Sequence, residues 1–172
     1  MTRGEALQHA TQSLRQAGIS APALDARWLL MHVLNISEAL LLTHPDTSLQ
    51  AAELAAYEHL IAQRSEGIPF AYLTGKTGFF DLTLEVSPNV LIPRGDTELL
   101  VERALLKLQA HPQPRILDLG TGSGAIGLAL AQHLPRAQVI LVDASSQALE
   151  VAEKNRVQLN LSNASCLQSI WF

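Results

Sequence analysis

One cysteine, Cys166, is all that 172 residues supply, so no intramolecular disulfide framework can form. Positive charge is also short: 12 Lys and Arg stand against 16 Asp and Glu, a net charge of -4 at pH 7. That balance excludes the broad basic surface on which nucleic-acid backbones or anionic membranes are held. The six histidines are scattered, with no Cys/His spacing that makes a zinc site. No apolar run approaches the roughly 20 residues of a membrane span; the longest, Trp28 to Leu34, is interrupted by His32. Met1 to Leu14 alternates polar and charged residues, with no apolar core of signal-peptide length. These absences lead to the expectation of a reducing, cytoplasmic setting with no metal, no membrane and no direct nucleic-acid partner. What is present is apolar: 48% of residues are hydrophobic and 16% charged, the balance of a folded globular chain. A chain of this length covers about 70% of its unfolded surface, in one domain or two small ones.

Helical spacing dominates the first third. Gly4 to Ala17 carries Leu7 and Leu14 on one side and stops at Gly18, a natural helix terminator. Ser20-Ala21-Pro22 starts a second helix, with proline in the first turn, where its missing N–H is not needed. Leu24, Trp28 and Met31 follow at i, i+4 and i+7 and predict its packed face. Ser37-Glu38 opens a short helix that His44-Pro45 ends, and Ser48 is expected to cap a longer one with Leu54, Tyr57 and Ile61 on one face. The expectation is a helical domain over residues 1–67.

Across residues 68–94 the period changes. Phe79-Phe80, Leu82, Leu84, Val86 and Val90-Leu91-Ile92 are strand-like, punctuated by Gly75, Gly78, Pro88 and Pro93, which predicts a β-hairpin linker. In residues 95–172, Thr97 to Ala110 predicts a helix with Leu99, Leu100, Ala104 and Leu108 buried. From Arg115 the pattern is strand, glycine-rich turn, helix, strand, helix, with Cys166 to Ile170 as a third strand. Such alternation implies βαβ crossovers and a parallel sheet, hence an α/β fold. Cys166 itself is expected in the core.

Asp118-Leu119-Gly120-Thr121-Gly122-Ser123-Gly124 falls just beyond the first of these strands, where parallel sheets bind ligands. Glycine lets the backbone turn sharply and approach a ligand with no Cβ between them. Asp143 ends the next strand, where an acidic side chain can accept hydrogen bonds from both hydroxyls of a ribose. Gly122-x-Gly124-x-x-Gly127 also satisfies the dinucleotide pattern literally, a weak signal by itself. Asp118 discriminates. A dinucleotide places a doubly negative pyrophosphate near such a turn, and a carboxylate would repel it. S-adenosylmethionine carries a sulfonium and an ammonium group and no phosphate, so a carboxylate favours it. Other chemistries are poorly served. Ser123 lies outside a G-x-S-x-G elbow, and Asp96, Glu98, Glu150 and Glu153 are placed as helix-terminal or solvated charges.

The glycine turn, read with Ile116-Leu117 before it, resembles the first motif of Rossmann-like methyltransferases. More specifically, Leu73-Thr74-Gly75 with Phe79-Phe80, then Val90 through Glu98 (Val-Leu-Ile-Pro-Arg-Gly-Asp-Thr-Glu) and Val101-Glu102, resembles the release factor glutamine methyltransferases. That resemblance covers essentially the whole chain. It implies a helical release-factor-binding domain over 1–67, a hairpin linker over 68–94, and an incomplete Rossmann-like methyltransferase domain over 95–172. It implies S-adenosyl-L-methionine as cofactor, peptide chain release factors as protein substrates, and methylation of the glutamine side-chain amide in their Gly-Gly-Gln motif. Cofactor contacts carry over to Asp118, Gly120, Thr121, Gly122, Ser123, Gly124 and Asp143, with Trp171 flanking the adenine.

Three departures stand out. Gly95 replaces the usual proline of the Pro-Arg segment, and Ile170 stands where the family has an adenine-facing aspartate. The third is an absence: the family's catalytic Asn-Pro-Pro-Tyr has no counterpart, since neither Asn-Pro nor Pro-Pro occurs anywhere. No residue is therefore assigned as catalytic, and the expectation is a C-terminally truncated, inactive form. The alternatives are a non-catalytic protein-binding module with a vestigial cofactor half-site, and a dinucleotide-dependent enzyme.

Overall fold

The computed structural model describes residues 1–170. It divides into two compact units, residues 1–74 and 75–172, with the hairpin inside the second.

The first unit is helical: α1 (Arg3–Gln16), α2 (Pro22–Leu34), α3 (Glu38–Thr43), α4 (Ala51–Ser65) and the single turn α5 (Phe70–Thr74). Thr2 and Glu5 close a reciprocal capping box on α1, and Pro22 takes the first position of α2 as expected. Ser48 does not cap α4. Gln50 does, paired with Glu53, while Ser48 bridges to Thr2. The core gathers Leu14, Leu29, Leu30, Leu41, Tyr57 and Ile61, and the Tyr57 hydroxyl donates to the Ala26 carbonyl at 2.9 Å. The packed face of α2 differs from the predicted one. Asp25, Ala26, Leu29 and Leu30 are buried, whereas Leu24 and Trp28 are exposed, Trp28 lying edge-on to Phe70. Asp25 can face inward because Arg64 Nε donates to it at 2.7 Å, so a charged residue occupies the stripe that hydropathy assigns to Trp28.

The second unit begins with the antiparallel hairpin β1 (Lys76–Phe79) and β2 (Leu82–Glu85). Leu82, Leu84 and Val86 point inward as their alternation predicts, but Val90-Leu91-Ile92 forms no strand and Leu91 is exposed. A short 3-10 turn (Gly95–Thr97) leads into α6 (Glu98–Leu108). Val101 is its buried residue; Leu99 and Leu100, expected inside, are exposed. Then follow β3 (Arg115–Leu119), α7 (Ala125–His133), β4 (Gln138–Asp143), α8 (Ser146–Gln158) and β5 (Ala164–Gln168), with β3, β4 and β5 parallel and in that spatial order. The third strand thus starts two residues earlier than expected, and Cys166 is half-buried rather than enclosed.

One face of this sheet packs on helices: Val139, Leu141 and Ala164 join Leu128, Ala129 and Ala152 in a core that also includes Phe79, Leu82 and Leu84 of the hairpin. Along the other face run Leu117, Leu119 and Leu167, all exposed. Among the described residues, no helix is long and apolar enough to cross a membrane, and no cluster of His, Cys, Asp and Glu could hold a metal.

Candidate functional site

β3 delivers the chain to the turn at residues 120–124, and α7 carries it away. Gly120, Gly122 and Gly124 have φ of 73°, 56° and 85°, the left-handed region that costs a side-chain-bearing residue 1–2 kcal/mol by rough estimate. Gly124 has a second reason to be glycine: a Cβ there would sit 2.7 Å from Leu128 Cδ1. At Gly122, by contrast, a Cβ would meet none of the described residues within 4 Å, so this is the open side of the turn among them.

Four of the turn's five backbone donors are spent inside the chain. Gly120 and Thr121 N–H both donate to the Val142 carbonyl at 2.8 and 2.9 Å, and Gly124 N–H donates to the Thr121 carbonyl at 2.8 Å. Gly122 N–H donates to Asp143 Oδ2 at 2.9 Å. The other oxygen of Asp143 accepts from Ser145 N–H at 3.0 Å, so one carboxylate fastens both the turn and the start of α8. Ser145 then caps α8 through Ala148 N–H.

Asp118 has a structural task within the fold. Its Oδ2 accepts from the Thr121 hydroxyl at 2.7 Å and from Gly127 N–H at 2.9 Å. It therefore occupies the amino end of α7, the place where a bound phosphate would sit in a dinucleotide fold. The carboxylate takes one of the helix donors that a pyrophosphate would use, and its charge opposes one. Gly127 is what allows this approach, because a Cβ there would overlap Leu141 Cδ2 and lie 2.9 Å from Asp118 Oδ2.

Seven of the eight predicted residues are thus brought together: Asp118, Gly120, Thr121, Gly122, Ser123, Gly124 and Asp143. Thr121 and Ser123 are buried, so their side chains serve the turn's interior. Trp171, the eighth, lies outside the described residues. Just before it, Ser169 N–H donates to the Asp143 carbonyl at 3.1 Å, and Gln168 Nε2 donates to the Ala144 carbonyl at 3.1 Å. The segment after β5 therefore runs beside Asp143, with Ile170 79% exposed. Among the described residues neither Asp118 nor Asp143 has an ion-pair partner, so the rim of the turn is net negative.

Family models match both units. One described as the PrmC N-terminal domain covers residues 5–75, and one described as a methyltransferase domain covers residues 110–172. A release factor glutamine methyltransferase of Vibrio cholerae is 49% identical over 167 residues, which are 97% of this chain and 58% of that protein. The chain is similar to the release factor glutamine methyltransferases along nearly all of its own length. Its Bordetella pertussis relative of the same name is 47% identical, over 88% of this chain and 56% of that protein. The Escherichia coli K12 relative is 44% identical, over 88% and 54%. The chain therefore spans a little over half the length of the curated relatives it matches.

One residue of the site escaped the sequence reading. Asn155 of α8 is fully buried, and its Nδ2 donates to the Ser123 carbonyl at 2.8 Å. The signal was available: Ala148, Val151, Ala152 and Asn155 form the buried i, i+3, i+4, i+7 stripe of α8, and a lone amide on such a stripe calls for partners.

Proposed function

We propose that this chain binds S-adenosyl-L-methionine at the turn of residues 120–124, beside Asp118 and Asp143, and the family resemblance adds Trp171 as a cofactor contact. Its function is to serve methylation of the glutamine side-chain amide in the Gly-Gly-Gln motif of peptide chain release factors, with residues 1–67 as the release-factor-binding part. The cofactor reading is carried by the helix donor that Asp118 has already taken. With Gly120, Thr121, Gly122, Gly124 and Gly127 N–H groups donated internally, a pyrophosphate would find those donors spent and two carboxylates beside it. A nucleoside with positive charge and no phosphate suits this rim. Open space at Gly122 gives it room, and each Asp143 oxygen keeps a lone pair for a ribose hydroxyl.

When bound, the cofactor supplies an electrophilic methyl group on a sulfonium. The residues here hold and orient it. The amide nitrogen to be methylated is a poor nucleophile, because its lone pair is delocalised into the carbonyl. Hydrogen-bond acceptors on its N–H groups are needed to aim that lone pair, a matter of positioning and electrostatics. The family's Asn-Pro-Pro-Tyr, which supplies them, is not among these 172 residues. The reading is therefore of a chain that holds cofactor without turning it over alone.

Titration calorimetry with S-adenosylhomocysteine and with NAD tests the first part. Heat with the former alone is expected, and heat with NAD alone would overturn the assignment. Methyl incorporation into a Gly-Gly-Gln peptide by the 172-residue chain is expected at background, and catalytic turnover would refute that part.

A further inference from the structure

We infer that Asn155 is a positioning residue, whose buried amide sets the cofactor turn and couples it to the end of the hairpin. The inference rests on the reading of residues 120–124 as the cofactor site. Asparagine is a poor choice for a helix interior, and a buried amide is costly unless bonded. Here both kinds of polar atom on its side chain are engaged. Oδ1 accepts from Glu85 N–H at 2.6 Å, while Nδ2 donates to the Glu85 carbonyl at 2.9 Å and to the Ser123 carbonyl at 2.8 Å.

The bond to Ser123 matters because of what lies on the other side of that peptide. The Ser123–Gly124 peptide presents its carbonyl to Asn155 and its N–H to the Thr121 carbonyl, at 2.8 Å. Its plane is pinned at both ends. That orientation accompanies the left-handed Gly124 and the open left-handed Gly122 ahead of it. Without the amide, the carbonyl would be left buried with no replacement, and the peptide would turn to find one.

The bonds to Glu85 extend the reach of the same side chain. Glu85 is the last residue of β2, and its N–H and carbonyl meet the Asn155 amide as they would meet a neighbouring strand. At the hairpin's opposite end, Phe80 N–H donates to Glu98 Oε1 at 2.9 Å. A shift of the hairpin is therefore transmitted through one amide to the Ser123 carbonyl and the turn.

The test compares Asn155→Ala with Val101→Ala in the full chain. Val101 is a buried residue of α6 whose side chain carries no polar atom, and its truncation supplies a loss of stability without the loss of an amide. Two quantities are measured where circular dichroism shows both variants folded: affinity for S-adenosylhomocysteine by calorimetry, and amide hydrogen exchange at Gly124 and Glu85. Asn155→Ala is expected to weaken binding about tenfold or more and to speed exchange at Gly124 by a similar factor. Val101→Ala should leave both near the wild-type values. Unchanged exchange at Gly124, or equal effects in the two variants, overturns the inference. If the wild-type chain shows no binding while Gly124 exchange rises selectively in Asn155→Ala, the locking of the turn stands and the cofactor reading falls. Should Asn155→Ala not fold, Asn155→Asp carries the same comparison, since it keeps the acceptor for Glu85 N–H and loses both donated bonds.

Discussion

Replacing Gly127 by alanine separates two forces of opposite sign. In a free helix the change is favourable by about 1 kcal/mol, because alanine loses less backbone entropy. In this fold the added methyl would overlap Leu141 Cδ2, on a fully buried side chain of β4, and would sit 2.9 Å from Asp118 Oδ2 and 3.2 Å from Asp118 Cβ. Overpacking of that kind costs about 1–3 kcal/mol. Moving Asp118 aside also weakens its bonds from the Thr121 hydroxyl and Gly127 N–H; bonds to a charged acceptor contribute about 1.5 kcal/mol or more each. The unfavourable terms exceed the helix gain, and a net loss of about 2 kcal/mol is expected. Urea unfolding followed by far-ultraviolet circular dichroism should then show a midpoint lower by about 1 M, given a slope of about 2 kcal/mol per molar. Gly78→Ala is the control, because a Cβ at Gly78 meets nothing within 4 Å and its φ is not positive. Should Gly127→Ala raise the midpoint, helix propensity would be deciding the outcome, and the close approach of α7 to β3 would not be what holds Asp118.

Two further outcomes are open to direct measurement. Gly95→Pro should stabilise the chain by about 0.4–1 kcal/mol through the unfolded state: Arg94 is already extended at φ -101° and ψ 147°, as the residue before a proline requires, and a Cβ at Gly95 meets nothing. A fall in Tm for that variant would contradict the geometry at Gly95. The Cys166 thiol is pushed up to about 11 by burial and by its hydrogen bond to Glu153, itself held below the usual carboxylate range by Arg156. The folded value lies above that of the unfolded chain, about 8.5, so this group's contribution to stability is complete below the latter and is lost as pH rises toward 11. Alkylation of the native chain by iodoacetamide should accordingly stay slow through pH 9 and climb beyond it, and a midpoint at the ordinary thiol value would refute the burial of that sulfur.

Local signals carried the reading of the fold a long way. Proline at Pro22, serine at Ser37, and the alternation of Leu82, Leu84 and Val86 each act within a turn or two of chain, and each holds in the structure. Misplaced faces have a common cause. Asp25 turns inward because its partner, Arg64, is 39 residues away, and Trp28 yields the packed face in consequence. Val90-Leu91-Ile92 is apolar enough for a strand, yet it lies between Pro88 and Pro93 and does not take strand structure. In the site, the glycines and both aspartates were legible because a tight turn restricts residue type at fixed spacing. The orientation of Asp118 was not, since it depends on the gap that Gly127 leaves. Asn155 was hidden further still: its bonds to Glu85 span 70 residues, and spacing on α8 alone could flag the amide but not name its partners.

Strand β3 has two sides with different tolerances. Ile116 and Asp118 face α7, where the helix end and the glycine turn depend on them, while Leu117 and Leu119 lie 56% and 42% exposed on the opposite face. Neighbouring positions along one five-residue strand therefore answer to unrelated constraints. A polar residue is structurally admissible at Leu117, whereas any loss of the carboxylate at Asp118 reaches the end of α7 at once. Variation along this strand should be read with a period of two, since alternate positions answer to the end of α7 and to the opposite face of the sheet.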